Sequence, residues 1–261
     1  MRQGYFRRGF KAGLVALLVL GGAVACLSAG LRGKTVSART MTRWSRLLCR
    51  ILNVRLIQRG KPLPGTGLLV ANHISWLDIF CIASVCPSFF LAKQEVAQWP
   101  VFGWLSRRSG TAFIQRGADH GAREAAQQLI WRLRQGDRMV LFPEGTSTIG
   151  RSVKRFHARL FQAAIHARCP VQAVALRYPA RNEADGVNVR APFVGDDDFV
   201  SHLWRLLGEP DIPVEIHFFE PLTVDGQTRD TLARLTHDQI VAVLGNPAPV
   251  QSAAAEVTGV R

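Results

Sequence analysis

The sequence predicts an α/β fold, a mixed sheet flanked by helices and preceded by an N-terminal membrane-associated helical segment. Three observations carry that expectation. From about residue 53, short apolar strings rich in branched and aromatic residues alternate with longer helix-like stretches, the pattern of a sheet with helices on its faces. Ala12–Leu31, AGLVALLVLGGAVACLSAGL, carries no charge and is about as long as the ~20 residues a helix needs to cross a hydrocarbon core. Every charged residue before Asp78 is a Lys or Arg, so this apolar run sits in a wholly basic stretch. With 261 residues and 48% hydrophobic content, the chain can build one large core plus an appendage.

The N-terminal run has a charged start and an AVA string at Ala23–Ala25, which would also fit a cleaved leader, and Cys26 a lipoprotein. A retained anchor fits better, because the apolar run continues past that site. Lys and Arg crowd both of its ends, so the positive-inside rule pulls both flanks to the same side. A re-entrant or surface-lying helix satisfies both. Next, Met41–Gly60 repeats Met41, Trp44, Leu48 and Ile51 at helical spacing, with Arg43, Arg46 and Arg50 on another face. A basic amphipathic helix with Trp suits a membrane surface, and it equally suits packing on the domain.

Strands are expected at Val54–Gln58, Gly67–Ala71, Phe89–Lys93, Thr111–Gln115, Arg138–Pro143, Val171–Tyr178 and Pro213–Phe219. Helices are expected near Trp76–Val85, Trp99–Arg107, Gly117–Arg134, Val153–Ala167, Phe199–Leu207 and Thr228–Leu244. Gly245–Arg261 is rich in small residues and proline and reads as a frayed tail. The expected division is therefore 1–52 for the basic anchor and amphipathic helix, 53–244 for the main domain and 245–261 for the tail.

A net charge of +14 favours polyanionic partners such as anionic lipid, nucleic acid or phosphorylated substrates. Apolar and basic segments together favour a membrane, and no motif points to nucleic acid. The 5 cysteines are odd in number, form no CxxC pair and are expected as free buried thiols. No metal-site spacing is present, and Asp196–Asp198 reads as a helix cap with a favourable dipole contact.

Chemistry concentrates at strand ends. His73 comes just after the apolar strand Gly67–Ala71, at the edge where open α/β sheets place ligands. Histidine suits proton transfer near neutrality. Asp78 could hold one ring nitrogen, fixing the tautomer and stabilising the imidazolium, with the substrate supplying the nucleophile. The competing reading makes Ser75 an N-cap and Asp78 a first-turn acid. Arg116 ends the string GTAFIQR, and its planar fork suits phosphate or carboxylate. Lys93 is placed similarly in LAKQE. In FPEGT, Pro143 stiffens a turn, Gly145 allows positive φ, and Glu144 could bond backbone amides, pair with an Arg or hold a substrate hydroxyl.

The order NHxxxxD, GxxFIxR, FPEGT and a Pro-Val strand, over about residues 72–176, resembles the glycerolipid acyltransferase family, in particular its bacterial 1-acylglycerol-3-phosphate acyltransferases. The resemblance implies direct acyl transfer from acyl-CoA or acyl-carrier protein to a lysolipid hydroxyl, giving phosphatidic acid, with no cofactor beyond the donor. It implies His73 as general base and Asp78 as its orienting partner. Arg116 and Lys93 would hold the acceptor's phosphate, and Glu144, Gly145 and Thr146 would shape the acceptor site. It also implies a catalytic domain on the cytoplasmic face of the inner membrane, where thioester donors meet bilayer lysolipid. Ala173 stands where the family often has a second proline. Relatives that acylate lyso-ornithine lipid have similar strings, so the acceptor stays open between the two lipids.

Overall fold

A computed structural model describes residues 2–98, 102–114, 119–180, 183 and 186–245. The apolar run belongs to a single 30-residue helix, α1 (Arg2–Leu31), long and apolar enough to cross a membrane and only 11% buried along its most apolar window. Val15 and Cys26 face the protein, whereas Leu17, Leu20, Val24 and Leu27 are exposed. After a turn with Gly33 at φ 64°, Ser37 caps α2 (Ala38–Ile51), its Oγ accepting from the Thr40 amide at 3.2 Å. Helix α2 is docked on protein through Leu48 and Cys49. The Trp44 indole donates to the Leu18 carbonyl at 2.9 Å, joining α2 to α1. Arg43 and Arg50 remain exposed on its outer face.

The strands are β1 (Val54–Arg59), β2 (Gly67–Ala71), β3 (Phe89–Lys93), β4 (Ala112–Ile114), β5 (Arg138–Leu141), β6 (Val171–Arg177) and β7 (Ile212–Phe218). They form one 7-stranded sheet in the order β1-β7-β6-β2-β5-β3-β4. All neighbours are parallel except β6 and β7, so the sheet is mixed, as expected. Alternation along each strand divides the core in two. Leu69, Ala71, Val140, Val174, Ile212, Val214 and Ile216 face one cluster, which takes in α2, α3 (Leu77–Val85) and α7 (Phe199–Leu207). Leu68, Val70, Met139, Leu141, Val171 and Ala173 face the other, with α5 (Asp119–Arg134), α6 (Gln162–Ala167) and α8 (Arg229–Gly245). A short helix, α4 (Phe102–Arg108), lies between β3 and β4. The expected starts of the helices at 99 and 117 fall outside the described residues.

Two local expectations are corrected. Residues 153–167 are not one helix: 153–157 are irregular, a 3-10 turn covers Ala158–Phe161, and only Gln162–Ala167 is α-helical. The cause is competition for backbone donors. The Lys154 amide donates to Glu144 Oε2 at 2.7 Å and the His157 amide to the Pro143 carbonyl at 2.9 Å, so this segment is tied to the turn after β5 instead of to itself. Ser75 is not a cap: α3 starts from Trp76 without a side-chain cap, and Ser75 Oγ has no hydrogen-bond partner among the described residues. Asp198 does cap α7, accepting from the Ser201 amide at 2.8 Å. All five cysteines are free and buried.

Candidate active site

Three adjacent parallel strands deliver the site. β2 lies between β5 and β6, with Val70 opposite Leu141 and Ala71 opposite Val174. The segments leaving the C-terminal ends of these strands therefore converge at one edge of the sheet. From β2 come Asn72 and His73, from β5 come Phe142 and Glu144, and β6 runs on to Tyr178.

Asp78 organises the loop. Its side chain is fully buried, a costly place for a carboxyl group unless donors surround it, and here they do. Oδ2 meets His73 Nδ1 at 2.8 Å and accepts from the amides of Ile74 and Ser75 at 2.7 and 2.9 Å. Oδ1 accepts from the Tyr178 hydroxyl at 2.6 Å. The same oxygen thus ties down the loop backbone and pairs with His73. Since Asp78 is ringed by donors, His73 Nδ1 carries the hydrogen and Nε2 presents the lone pair. The ring stacks on Phe142 with centroids 4.1 Å apart and is 21% exposed, so it is held yet reachable.

The backbone of the loop is fixed just as closely. The His73 amide donates to Glu144 Oε1 at 2.7 Å, and the His73 carbonyl accepts from the Thr148 amide at 2.9 Å. The buried Asn72 amide pairs in both directions with the Leu176 backbone, at 2.8 and 3.0 Å. Of the roles open to Glu144, bonding backbone amides is the one seen: each oxygen takes one, from His73 and from Lys154. Burial pushes its carboxyl above the ordinary 4.5, against the pull of those two amides. Gly145 adopts φ 73°, which a side chain would strain, and Thr146 comes next in the same turn. Lys93 is the last residue of β3, at the same edge of the sheet; its side chain and Arg116 lie outside the described residues.

Sequence reasoning missed Tyr178. Its only sequence signal was a hydroxyl ending a buried strand. Burial and the neighbouring Asp78 hold the phenol far above its ordinary range, so it stays a donor. Tyr178→Phe should leave Asp78 Oδ1 buried without its partner, costing about 1–3 kcal/mol. Thermal unfolding of the variant, with acyl transfer measured alongside, checks this; unchanged stability would refute the role.

His202 was missed as well. Trp76 Nε1 donates to its Nδ1 at 3.0 Å, and its Nε2 donates to the Pro192 carbonyl at 2.9 Å, a pattern only the neutral ring can make. Burial holds its pKa below the ordinary 6.5. Below 6.5 the unfolded chain takes up a proton that the folded chain resists. The stability is therefore intact above that value and lost as pH falls towards the depressed folded value. The loss is at most about 1.4 kcal/mol per pH unit. Between about pH 7.5 and pH 5.5, Tm should fall further in the wild type than in His202→Gln.

A histidine paired with a buried carboxylate, at the strand ends of an α/β sheet, is an arrangement that can take a proton from a bound hydroxyl. Comparison with known proteins gives the family. The chain belongs to the acyltransferase family: residues 51–177 match the family described as Acyltransferase. It is similar to the lyso-ornithine lipid O-acyltransferase of Pseudomonas aeruginosa, 40% identical over 245 residues, 92% of this chain and 93% of that one. It is also similar to the 1-acyl-sn-glycerol-3-phosphate acyltransferase of Neisseria gonorrhoeae, 36% identical over 165 residues, 62% of this chain and 64% of that one. The fold matches the crystal structure of the 1-acyl-sn-glycerophosphate (LPA) acyltransferase PlsC from Thermotoga maritima. The TM-score is 0.67 at 18% identity, covering 94% of this chain and 97% of that one.

Proposed function

We propose that this protein esterifies the free hydroxyl of lyso-ornithine lipid, with acyl-CoA or acyl-carrier protein as donor. The observation that carries the acceptor is the likeness to the Pseudomonas aeruginosa enzyme across 92% of this chain and 93% of that one. Similar enzymes of Brucella abortus and Rhizobium meliloti carry the same name, at 36% and 30% identity. The 1-acylglycerol-3-phosphate reading stands second. It is supported by the Neisseria gonorrhoeae relative, 36% identical over a shorter span, and by the phosphate role that the sequence resemblance gives Arg116 and Lys93.

The chemistry is that of the Asp78–His73 pair. His73 Nε2 takes the proton of the acceptor hydroxyl as its oxygen attacks the thioester carbonyl. Asp78 steadies the imidazolium that forms. As the tetrahedral adduct collapses, the C–S bond breaks and the departing sulfur takes the proton from His73, leaving an ester and a free thiol. Proton transfer by a placed base contributes about 10²–10⁴-fold. Orientation of two bound substrates supplies much of the remainder. The exposed apolar face of α1 suits attachment to the membrane that holds the lysolipid. Thioester donors of this kind are cytoplasmic, so the catalytic domain is assigned to the cytoplasmic face of the inner membrane.

The test is lipid mass spectrometry on purified protein given each lysolipid in turn with each donor. Conversion of lyso-ornithine lipid in preference to lysophosphatidic acid is expected. The reverse preference supports the second reading. Binding to anionic vesicles without turnover would sink both, leaving a lipid-binding protein without catalysis.

A further inference from the structure

A cleft of about 140 Å³ opens beside the His73 loop, lined among others by Ile149, Arg151, Val189, Pro192, Asp197 and Arg205. Two of its walls are hydrogen-bonded to that loop. Next to Ile149, the Thr148 amide donates to the His73 carbonyl, and next to Pro192, the Phe193 amide donates to the Ile74 carbonyl, both at 2.9 Å. The cleft is thus joined to the loop that carries His73 through the neighbouring residues Thr148 and Phe193. The cleft is smaller than the ~300–1,000 Å³ of sites that enclose a drug-sized ligand, so it suits a headgroup and not an acyl chain.

Its charges are mixed, and the Arg205–Asp197 pair is loosely made. Arg205 and Asp197 approach only to 3.4 Å, with side chains 35% and 31% exposed. The same Asp197 oxygen accepts from the Val194 amide at 3.3 Å. Both contacts are longer than the ~2.7–3.2 Å of well-formed bonds. Among the described residues, Arg205 Nε is buried with no hydrogen-bond partner. Arg151 adds a second positive charge on the exposed side. Guanidinium groups suit a carboxylate, and Asp197 suits an ammonium. A phosphomonoester would set its negative charge against Asp197. At the rim, Ile149 and Val189 are 45% and 56% exposed, placed to meet the apolar part of a lipid.

We propose that this cleft binds the acceptor's headgroup and selects one that carries both a carboxylate and an ammonium, with Asp197 on the ammonium and Arg205 and Arg151 on the carboxylate. The assignment rests on the lyso-ornithine reading of the acceptor. It is tested on the full-length protein with lyso-ornithine lipid, the same lipid acetylated on its free amine, and lysophosphatidic acid. The wild type should prefer the free amine to the acetylated form by about ten- to a hundredfold in kcat/KM. Asp197→Asn should collapse that ratio towards one, which a merely structural role would not do, because both rates would then fall together. Arg151→Gln, with Tm measured on the same preparation, should raise KM for both ornithine-derived acceptors by several-fold with kcat little changed. If the wild type turns over lyso-ornithine lipid but neither variant shifts its ratio or its KM, the cleft assignment is overturned and the acceptor reading stands. If the wild type turns over only lysophosphatidic acid, both are overturned.

Discussion

The His73→Ala protein is expected to fold normally and to transfer acyl groups about 10²–10⁴-fold more slowly than the wild type. The loop does not depend on the imidazole for its shape. The His73 amide still reaches Glu144, its carbonyl still takes the Thr148 amide, and Asp78 keeps the amides of Ile74 and Ser75 and the Tyr178 hydroxyl. The lost packing against Phe142 is that of a ring already 21% exposed. Activity and stability should therefore separate. Acyl transfer to lysolipid, measured with Tm on the same preparation, checks both. Transfer at the wild-type rate would show that His73 is not the base.

Asp78→Asn should not separate them. The substitution keeps the volume but offers a neutral oxygen to three donors, or turns an NH₂ towards the Ile74 and Ser75 amides, which can only donate. Hydrogen bonds to a charged group contribute about 1.5–3 kcal/mol, and several are weakened together at a site with no access to water. A drop of about 2 kcal/mol or more is expected by denaturant unfolding. Activity should fall by up to about 10⁴-fold, the loss when the carboxylate of a Ser-His-Asp triad becomes an amide. The imidazolium loses its counter-charge, and the ring can take the wrong tautomer. A variant with wild-type stability and a rate equal to that of His73→Ala would make Asp78 a purely chemical partner and contradict the dual role seen in its contacts.

The parts of this site that are local in sequence were legible in it. A strand ending in Asn72-His73, an acid one helical turn on, and a Pro-Glu-Gly turn after a second strand are patterns of neighbours, and each appears where the pattern put it. Contacts that join distant segments were not legible. Tyr178 is separated from Asp78 by 100 positions and Glu144 from His73 by 71; only the order of strands brings them together. The same holds for the 153–157 segment, whose helical pattern lost to the turn after β5, where Glu144 takes the Lys154 amide and the Pro143 carbonyl takes that of His157. Ser75 had the right chemistry for a cap, but the helix starts one residue later, from Trp76, and Asp78 holds the Ser75 backbone amide instead. The antiparallel step between β6 and β7 could not be read from either strand alone: β7 alternates in burial, yet it pairs parallel with β1 and antiparallel with β6, so its alternation marks a half-buried strand and not the direction of each neighbour.

The pairing of the first strand with the last has a consequence for how the protein is made. Among the described residues, β1 is hydrogen-bonded within the sheet to β7 alone, Val54 opposite Ile212. During synthesis the ribosome therefore delivers an edge strand whose partner is still some ten to thirty seconds away, at about 5–20 residues per second. Until β7 emerges, the ladder of β1 lacks its partner, an edge open to chaperones and proteases. A chain interrupted before residue 212 would contain the whole His73–Asp78–Tyr178 constellation and still lack the strand that closes the sheet.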